Sequence, residues 1–252
     1  MTYHQFYNIP TEASSLGKPL QEYNASEGVD IEKFGFGAVL VGIIMVIQLC
    51  RFASLGSGWF LFIVIIVGLF AAVLLFAYYR QKDWRILIFE DGFSHTLRGK
   101  TDIILWDDVE HVWQSITRSS AYGIAHISTA YIYTIELKDG RKYSLTNAFH
   151  SIEQLGKTVQ KETFKRIYPK VMESLRNDEV VPFGDVGISQ RGLHHGKSVL
   201  PWEGIKGIRI NQGTISIKKD GNWLNWASIT VKDTPNVYIF MTIVGQIVGV
   251  EV

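Results

Sequence analysis

A short pattern of residues occurs twice in this chain and constrains its fold more than any other feature. The first copy is GFSHTLRGKTDIILWDDV at 92–109, and the second is GLHHGKSVLPWEGI at 192–205. Alignment places glycine on glycine, tryptophan on tryptophan, an acid on an acid and an aliphatic residue on an aliphatic residue. The positions that define the repeat are Gly92, Trp106, Asp107 and Val109 in the first copy and Gly192, Trp202, Glu203 and Ile205 in the second. Such a repeat predicts two copies of one structural unit.

Strands are predicted around both copies of the pattern. WRILIFEDGFSH, EHVWQSITR and AYIYTIELKDGRKYSL have a two-residue period or many β-branched and aromatic residues, and EDG and KDG are tight-turn signals. Short extended segments punctuated by glycine surround the second copy. In each copy one strand reaches the turn glycine, and a second strand leads into the tryptophan corner. We expect the tryptophan and the aliphatic residue to pack into a core and the acid to bond local backbone amides.

A helix is predicted after each set of strands. Residues 151–177 carry apolar side chains at steps of three and four, after a serine N-cap, and Pro169 is expected to kink or divide this helix. The final segment DTPNVYIFMTIVGQIVGVEV predicts a second helix, capped by Asp233 or Thr234. Its apolar part, 235–250, either plugs a barrel or enters a membrane. We favour the first alternative because this stretch is short for a span.

Two uncharged apolar runs, 34–50 and 59–79, precede the repeats. A helix needs about 20 apolar residues to cross a hydrocarbon core roughly 30 Å thick, and the second run has twenty-one. Trp59 at its start and two tyrosines at its end are typical of aromatic residues at membrane interfaces. The alternative is a buried helical hairpin in a large core. We predict a transmembrane hairpin at 34–80, and the basic residues that follow it place both termini in the cytoplasm.

The strand pairs that end in ILWDDV and LPWEGI, the strands after them and the closing helix entered by TPNVYIF resemble the bacterial pleckstrin-homology-like (PH-like) domains. The likeness is greatest to the membrane-linked tandem type, in which PH-like units follow two transmembrane spans. It covers residues 84–252. The resemblance implies a bent antiparallel barrel with one end plugged by the C-terminal helix, and it implies no catalytic residues.

Together these features predict an α+β protein in which an N-terminal two-helix transmembrane hairpin is followed by two tandem PH-like units. Each unit is expected to be an antiparallel β barrel or sheet with a C-terminal helix. The expected segments are a flexible N-terminal tail at 1–33, the hairpin at 34–80, and PH-like units at 84–177 and 180–252. The expected location is the bacterial inner membrane, crossed by two spans, with the N- and C-termini in the cytoplasm.

Composition narrows the classes of function. The chain has 25 basic and 24 acidic side chains, a formal charge of +1, so no field of the whole protein attracts nucleic acid. Cys50 is the only cysteine, which excludes an intramolecular disulfide and a multi-cysteine zinc site. It has no histidine or acid beside it to act as a base, and no Walker, G-x-S-x-G or H-E-x-x-H motif is present in a fitting context. We therefore expect no enzyme, no catalytic residues and no cofactor.

Histidines are the most tempting metal ligands. His194 and His195 are adjacent, and His95 is at the position equivalent to His195 in the first copy. Successive residues on a strand point to opposite faces, so the adjacent pair is poorly placed to chelate one ion. We favour the interpretation that these histidines are polar strand residues near a turn, and we expect no metal site.

A cationic face is predicted on the helix at 151–177. It consists of Lys157, Lys161, Lys165, Arg166 and Lys170. These side chains could contact anionic lipid headgroups, each contributing about 1 kcal/mol near a charged surface. The alternative, which we favour, is a solvated face opposite the core. Trp223 and Trp226 could be interfacial anchors, but their spacing puts them on opposite faces of a strand, so one of them is expected in the core.

The leading functional hypothesis is a non-enzymatic, membrane-anchored binding or scaffold protein that presents tandem PH-like domains to the cytoplasm. The alternative is a lipid-headgroup sensor that acts through the basic helix at 151–177. The expected partners are the lipid bilayer and either anionic lipid headgroups or an unknown protein, and not nucleic acid.

Overall fold

A computed structural model of the chain describes residues 11–25, 68–69, 84–121 and 125–249. Within these residues lie fourteen strands in four antiparallel sheets. The first sheet has the order β1 (Pro19–Asn24), β2 (Arg85–Phe89), β3 (Gly92–Leu97) and β4 (Lys100–Leu105). The second sheet has the order β5 (Val109–Ala121), β6 (Ala125–Leu137) and β7 (Lys142–Thr146).

The C-terminal part of the chain repeats this order of elements after a long helix, α1 (Ile152–Arg176). A four-stranded sheet contains β8 (Val181–Phe183), β9 (Val186–Ser189), β10 (Gly192–His195) and β11 (Ser198–Pro201). A three-stranded sheet contains β12 (Ile205–Asn211), β13 (Thr214–Lys219) and β14 (Asn225–Thr230), and the helix α2 (Val237–Val248) follows. We call β1–β7 with α1 the first repeat and β8–β14 with α2 the second repeat.

The chain divides into two compact units. The first unit contains the described residues up to Ile104 together with Ala148–His150, and the second contains Leu105–Asn147 and Ser151–Val252. The first sheet therefore belongs to the first unit. The other three sheets and both helices belong to the second. The domain limits at 84–177 and 180–252 stay a prediction.

The core of the first unit includes part of the segment expected to be a flexible tail. Strand β1 pairs antiparallel with β2 across a gap of some sixty residues in the sequence, with Tyr23 opposite Ile86. Ala13 and Leu16, in a 3-10 turn before β1, are fully buried with Leu87. The expectation of a flexible tail is corrected for residues 11–25, because this segment pairs with β2 and buries the side chains of Ala13, Leu16 and Tyr23.

The core of the second repeat is one hydrophobic cluster that contains residues of α2 and of both sheets. Phe240 and Val244 are fully buried and belong to one hydrophobic cluster with Ile188 of β9 and Ile217 of β13. The phenyl rings of Phe183 and Phe240 are 5.5 Å apart. The apolar segment Val237–Val248 is therefore a core helix, while the barrel that the first alternative assumed stays a prediction.

The structure corrects the expectation of membrane spans. Neither α-helix in the described residues is both long and apolar enough to cross a bilayer. This finding overturns the predicted fold class with its N-terminal transmembrane hairpin, the multi-pass assignment, and the location in a bacterial inner membrane with two spans. Residues 68–69 are the only described part of the predicted hairpin, so the runs at 34–50 and 59–79 otherwise lie outside the described residues. Over the ranges that the structure describes, the architecture is four antiparallel sheets with two α-helices.

The repeated glycine has the same physical role in both copies. A Cβ atom added to Gly92 would lie 2.2 Å from the carbonyl oxygen of Ile104, and one added to Gly192 would lie 2.0 Å from that of Leu200. Ile104 and Leu200 both stand two residues before the repeated tryptophan. In each repeat the strand that enters the corner thus passes too close to the turn glycine for any side chain to fit.

The tryptophan corners also match in their backbone bonds. Trp106 and Trp202 each begin a short 3-10 turn. The carbonyl of Trp106 accepts a bond from the N–H of Val109, and that of Trp202 accepts one from the N–H of Ile205. Trp106, Val109 and Ile205 are buried, as expected from the sequence, and Trp202 is half-buried. The repeat therefore encodes one local structure twice.

Substituting either repeated glycine by alanine should destabilise the protein. Gly92→Ala and Gly192→Ala push a methyl group into a strand carbonyl, and overpacking of this kind costs about 1–3 kcal/mol. Gly192 has a φ of 149°, which adds backbone strain for alanine. The free energy of unfolding from urea denaturation measures the loss. Gly207→Ala in β12 is the control, because nothing lies within 4 Å of its added Cβ; an equal loss in the control would contradict this explanation.

Candidate functional site

The described residues form an open groove in the second unit. Its volume is about 1190 Å³. One wall is β5 at 114–118, and the opposite wall is formed by the β12–β13 turn at 210–214 and by residues 230–232. The first turns of α2 close the groove with Val237, Tyr238 and Met241. Residues of both repeats therefore line it. We call it the β5 groove.

Asn236, which precedes α2, fixes one end of the β5 groove. Its backbone N–H donates to the carbonyl of Val112 at 2.8 Å. Its side-chain Oδ1 accepts from the N–H of Val112 at 3.0 Å, and its Nδ2 donates to the carbonyl of Glu110 at 3.0 Å. A single asparagine thus pairs with the outer edge of β5 as a short strand would.

The backbone of β5 beyond Val112 faces the groove. Both backbone groups of Val112 point towards Asn236, away from β6. Antiparallel pairing repeats this direction at every second residue, and the register with β6 is regular from His111 to Ser119. The N–H and C=O groups of Gln114, Ile116 and Arg118 therefore point outward. In the described part of the chain, β5 is an edge strand: no strand pairs with it on this side, where the 3-10 turn Val231–Asp233 lies nearby.

A second asparagine occupies the corresponding edge of β6. The N–H of Tyr131 donates to Oδ1 of Asn147 at 2.6 Å, and Nδ2 of Asn147 donates to the carbonyl of Thr129 at 2.9 Å. This is the bonding pattern of Asn236 on the opposite strand. The edge of β6 is therefore blocked where it passes the end of β7. Among the described residues, the outer edge of β5 is hydrogen-bonded at 110–112 by Asn236.

The side chains that line the β5 groove are apolar, uncharged polar and cationic. Ile116 is 42% exposed and Tyr238 is 54% exposed, so both offer apolar surface to a ligand. Arg118 and Lys232 are exposed, and no acidic residue is among those that line the groove. The lining thus carries two positive charges, in contrast to the near-neutral chain as a whole. A ligand with an anionic group would complement it.

The cations predicted to contact lipid are mostly paired with acids of the same helix. Nζ of Lys157 is 2.6 Å from Glu153, and Nζ of Lys165 is 2.7 Å from Glu162. Arg166 lies 3.4 Å from Glu162 and also 3.4 Å from Asp107. The sequence already indicated these ion pairs, because an acid stands three or four residues before each of the three cations. The remaining two, Lys161 and Lys170, are exposed.

The acids of the two tryptophan corners behave differently from the sequence expectation. Asp107 was expected to bond local backbone amides, and the structure places its carboxylate against Arg166 of α1. Glu203 is exposed. Neither 3-10 turn has a side-chain hydrogen bond from its N-cap residue. The acid of the first corner therefore attaches the corner to a helix.

The three histidines lie in different surroundings. His95 is buried, and its ring is 6.2 Å from Phe149. Nε2 of His194 is 2.8 Å from Oγ of Ser189, and the ring of His195 is 5.7 Å from Trp226. Among the described residues no group of three or more His, Cys, Asp or Glu side chains could hold a metal ion. Cys50 lies outside those residues.

A charged cluster lies on β5–β7 on the opposite face from Val112. Nδ1 of His111 is 3.3 Å from Glu136, and Nζ of Lys142 is 3.0 Å from the same carboxylate. The Lys142 ammonium lies 5.1 Å from the centre of a Trp113 ring. The hydrogen bond from Lys142 holds the pKa of the Glu136 carboxyl below its usual range. These contacts link β5, β6 and β7, so the cluster has a structural role in this sheet.

The two tryptophans of the β13–β14 hairpin differ in their burial. Trp226 packs against the core of the second repeat, whereas Trp223 is 86% exposed. The position of Trp226 agrees with the expectation that one ring is in the core, but Trp223 precedes β14 and so does not lie on the opposite face of that strand. Asn236 and Asn147 were not found by sequence reasoning. Their only signal was asparagine next to the end of a strand, which is also typical of turns.

The described architecture defines a protein built from a repeated unit of strands closed by a helix, with a groove beside an edge strand. The chain belongs to a family of unknown function (DUF6585), whose profile matches residues 4–250. Comparison with curated proteins finds no match. The family match spans both repeats, so the two repeats are part of one inherited arrangement.

Removing the Asn236 side chain should destabilise the protein. Asn236→Gly keeps the left-handed backbone that this residue adopts, at a φ of 50°, but loses both side-chain bonds to β5. Loss of these bonds should lower the free energy of unfolding by about 1–2 kcal/mol. Ser151→Gly is the matched control, since Ser151 precedes α1 at a φ of 54° without a side-chain cap bond. The control should be neutral or stabilising, and a similar loss in both variants would refute the role of the bonds.

Stability should also depend on His95. Burial lowers the pKa of this imidazole below its usual value of 6.5. The unfolded chain then binds the proton more readily than the folded protein. The contribution of the neutral His95 imidazole to the free energy of unfolding is therefore intact above pH 6.5 and is lost as the pH falls. The free energy of unfolding, followed from pH 7.5 to 5, should fall less steeply in His95→Gln than in the wild type. His195→Gln, at an exposed histidine, is the control; equal slopes in all three proteins would contradict the prediction.

Proposed function

We propose that the protein is a non-enzymatic binding module of two tandem PH-like units and that it binds a polypeptide segment of a partner protein in the β5 groove. The observation that carries the proposal is the groove itself. It combines apolar side chains, two cations and the unpaired backbone edge of β5.

The size of the groove favours a polymer over a small molecule. Its volume of about 1190 Å³ exceeds the range of about 300–1,000 Å³ that is usual for drug-sized ligands. One wall is an extended strand, so the site is elongated along the chain direction of β5. A segment of polypeptide has the shape and the hydrogen-bonding groups that such a wall requires.

The order of the elements supports the PH-like part of the proposal. In the second repeat a four-stranded meander is followed by a three-stranded meander and a helix that enters the core. The first repeat has the same order along the chain. This order agrees with the bent barrel and closing helix implied by the resemblance to bacterial PH-like domains. Such a fold is a scaffold for binding sites and does not by itself specify a ligand.

The lipid-headgroup sensor is the competing function, and the contacts of α1 favour it less. Three of the five cations on this helix are paired with Glu153 or Glu162. These ion pairs lower the net charge that the paired cations offer to an anionic surface. Lys161 and Lys170 are too few for stable attachment, because each basic residue contributes only about 1 kcal/mol near such a surface.

Site-specific photocrosslinking in cells should distinguish the two functions. The photoreactive residue p-benzoylphenylalanine replaces Tyr238 in the groove, and it replaces the more exposed Trp223 as the control. We expect irradiation to give a discrete protein adduct at position 238, identified by mass spectrometry, and none of the same partner at position 223.

The outcomes separate the classes of partner. A partner protein crosslinked equally at both positions would show that the groove is not the binding site. Absence of a protein adduct at position 238, together with binding of the purified chain to phosphatidylserine vesicles that is lost in Lys161→Glu/Lys170→Glu, would establish the lipid-sensor function in its place.

A further inference from the structure

We propose that the partner segment binds as an added β-strand along the outer edge of β5, and that this segment carries an acidic residue. The inference rests on the proposed function and goes beyond it, because it specifies both the conformation and the chemistry of the bound segment. The site is the stretch of β5 from Gln114 to Arg118.

The hydrogen-bonding groups for such a strand are in place. Gln114, Ile116 and Arg118 direct their N–H and C=O groups outward at regular spacing, because the register of β5 with β6 has no irregularity between His111 and Ser119. An edge of this kind pairs readily with another extended chain. In β-strand addition the main-chain bonds supply affinity, and pockets for alternate side chains supply specificity.

Asn236 shows that this edge accepts strand-like partners. Its N–H, Oδ1 and Nδ2 make three bonds with Glu110 and Val112, at 2.8, 3.0 and 3.0 Å. The added strand would begin where Asn236 ends, at Gln114. Asn147 prevents the same addition along β6 near Thr129 and Tyr131. The geometry therefore selects β5 as the receptive edge of this hairpin.

The walls of the groove determine the side chains of the added strand. Successive residues of a strand point to opposite faces, so every second residue would meet the α2 wall, where Tyr238 and Met241 lie. Apolar residues are expected at those positions. Arg118 and Lys232 lie in the same groove without an acid among its lining residues, so the segment should carry an aspartate, a glutamate or a terminal carboxylate near them.

The test uses the full-length chain and a library of random peptides. Peptides selected on the wild-type protein are synthesised with single backbone N-methyl groups, and their dissociation constants are measured. Strand addition predicts that methylation weakens binding at every second position and is tolerated between them. Selected peptides should also be enriched in acidic residues, and Arg118→Glu/Lys232→Glu should reverse that enrichment.

A proline in β5 tests the protein side of the same bonds. Ile116→Pro removes one outward N–H, and proline is tolerated in an edge strand where the N–H faces away from the ladder. Binding of a selected peptide should weaken about tenfold, which corresponds to the upper range for one hydrogen bond. Ile116→Ala is the control, because it retains the N–H and removes the same side chain. Thermal unfolding of both variants verifies that the fold is retained.

The results separate this inference from the proposed function. If the photoreactive residue at position 238 crosslinks a partner, but N-methylation shows no alternation and Ile116→Pro binds as Ile116→Ala does, strand addition is wrong. The groove then remains a binding site. If no peptide that binds the wild type is selected, or if selected peptides bind when the groove is blocked by the crosslinked partner, the inference is likewise overturned. Loss of the fold in Ile116→Pro leaves the N-methyl series to decide.

Discussion

The packing of α1 is the constraint on which the second unit depends. At its N-terminal half, Gly156 lies so close to Tyr133 of β6 that an added Cβ would be 2.0 Å from the ring. At its C-terminal half, Val171 and Leu175 belong to the hydrophobic cluster of the second repeat. One helix therefore contributes to the packing of β5–β7 and to that of β8–β14. This shared helix, together with the bonds of Asn236, keeps β5 beside α2 and so creates the groove.

The repeat shows how far local sequence determines local structure here. Gly92 and Gly192 were recognisable because a glycine at a strand turn, followed at a fixed distance by tryptophan, has few physical explanations. The helix predicted at 151–177 is confirmed at Ile152–Arg176, and it continues through Pro169 without division because the packing at both of its ends outweighs the loss of one backbone bond. The second helix begins one residue after Asn236, and the prediction of Asp233 or Thr234 as its cap was wrong.

The parts that sequence reasoning missed depend on contacts between distant segments. Strand β1 is six residues of mixed polarity, and it is a strand only because β2, far along the chain, supplies its partner. Asn236 pairs with Val112 across 124 positions, which no local pattern records. The predicted membrane spans rested on the length of two apolar runs and on no contact between segments. Hydrophobic periodicity identified strands and helices well, but it could not identify which strand edges would remain unpaired.

An open edge on β5 needs a physical justification, because exposed strand edges promote aggregation and proteins usually cover them. This protein covers the neighbouring edge positions in detail: one asparagine closes β6 at Thr129 and Tyr131, and another closes β5 at Glu110 and Val112. The three residues left open line a groove whose charged side chains are both cationic. Like charges discourage two copies from pairing edge to edge while they attract an acidic segment. The same feature thus protects the edge from self-association and favours a partner of opposite charge.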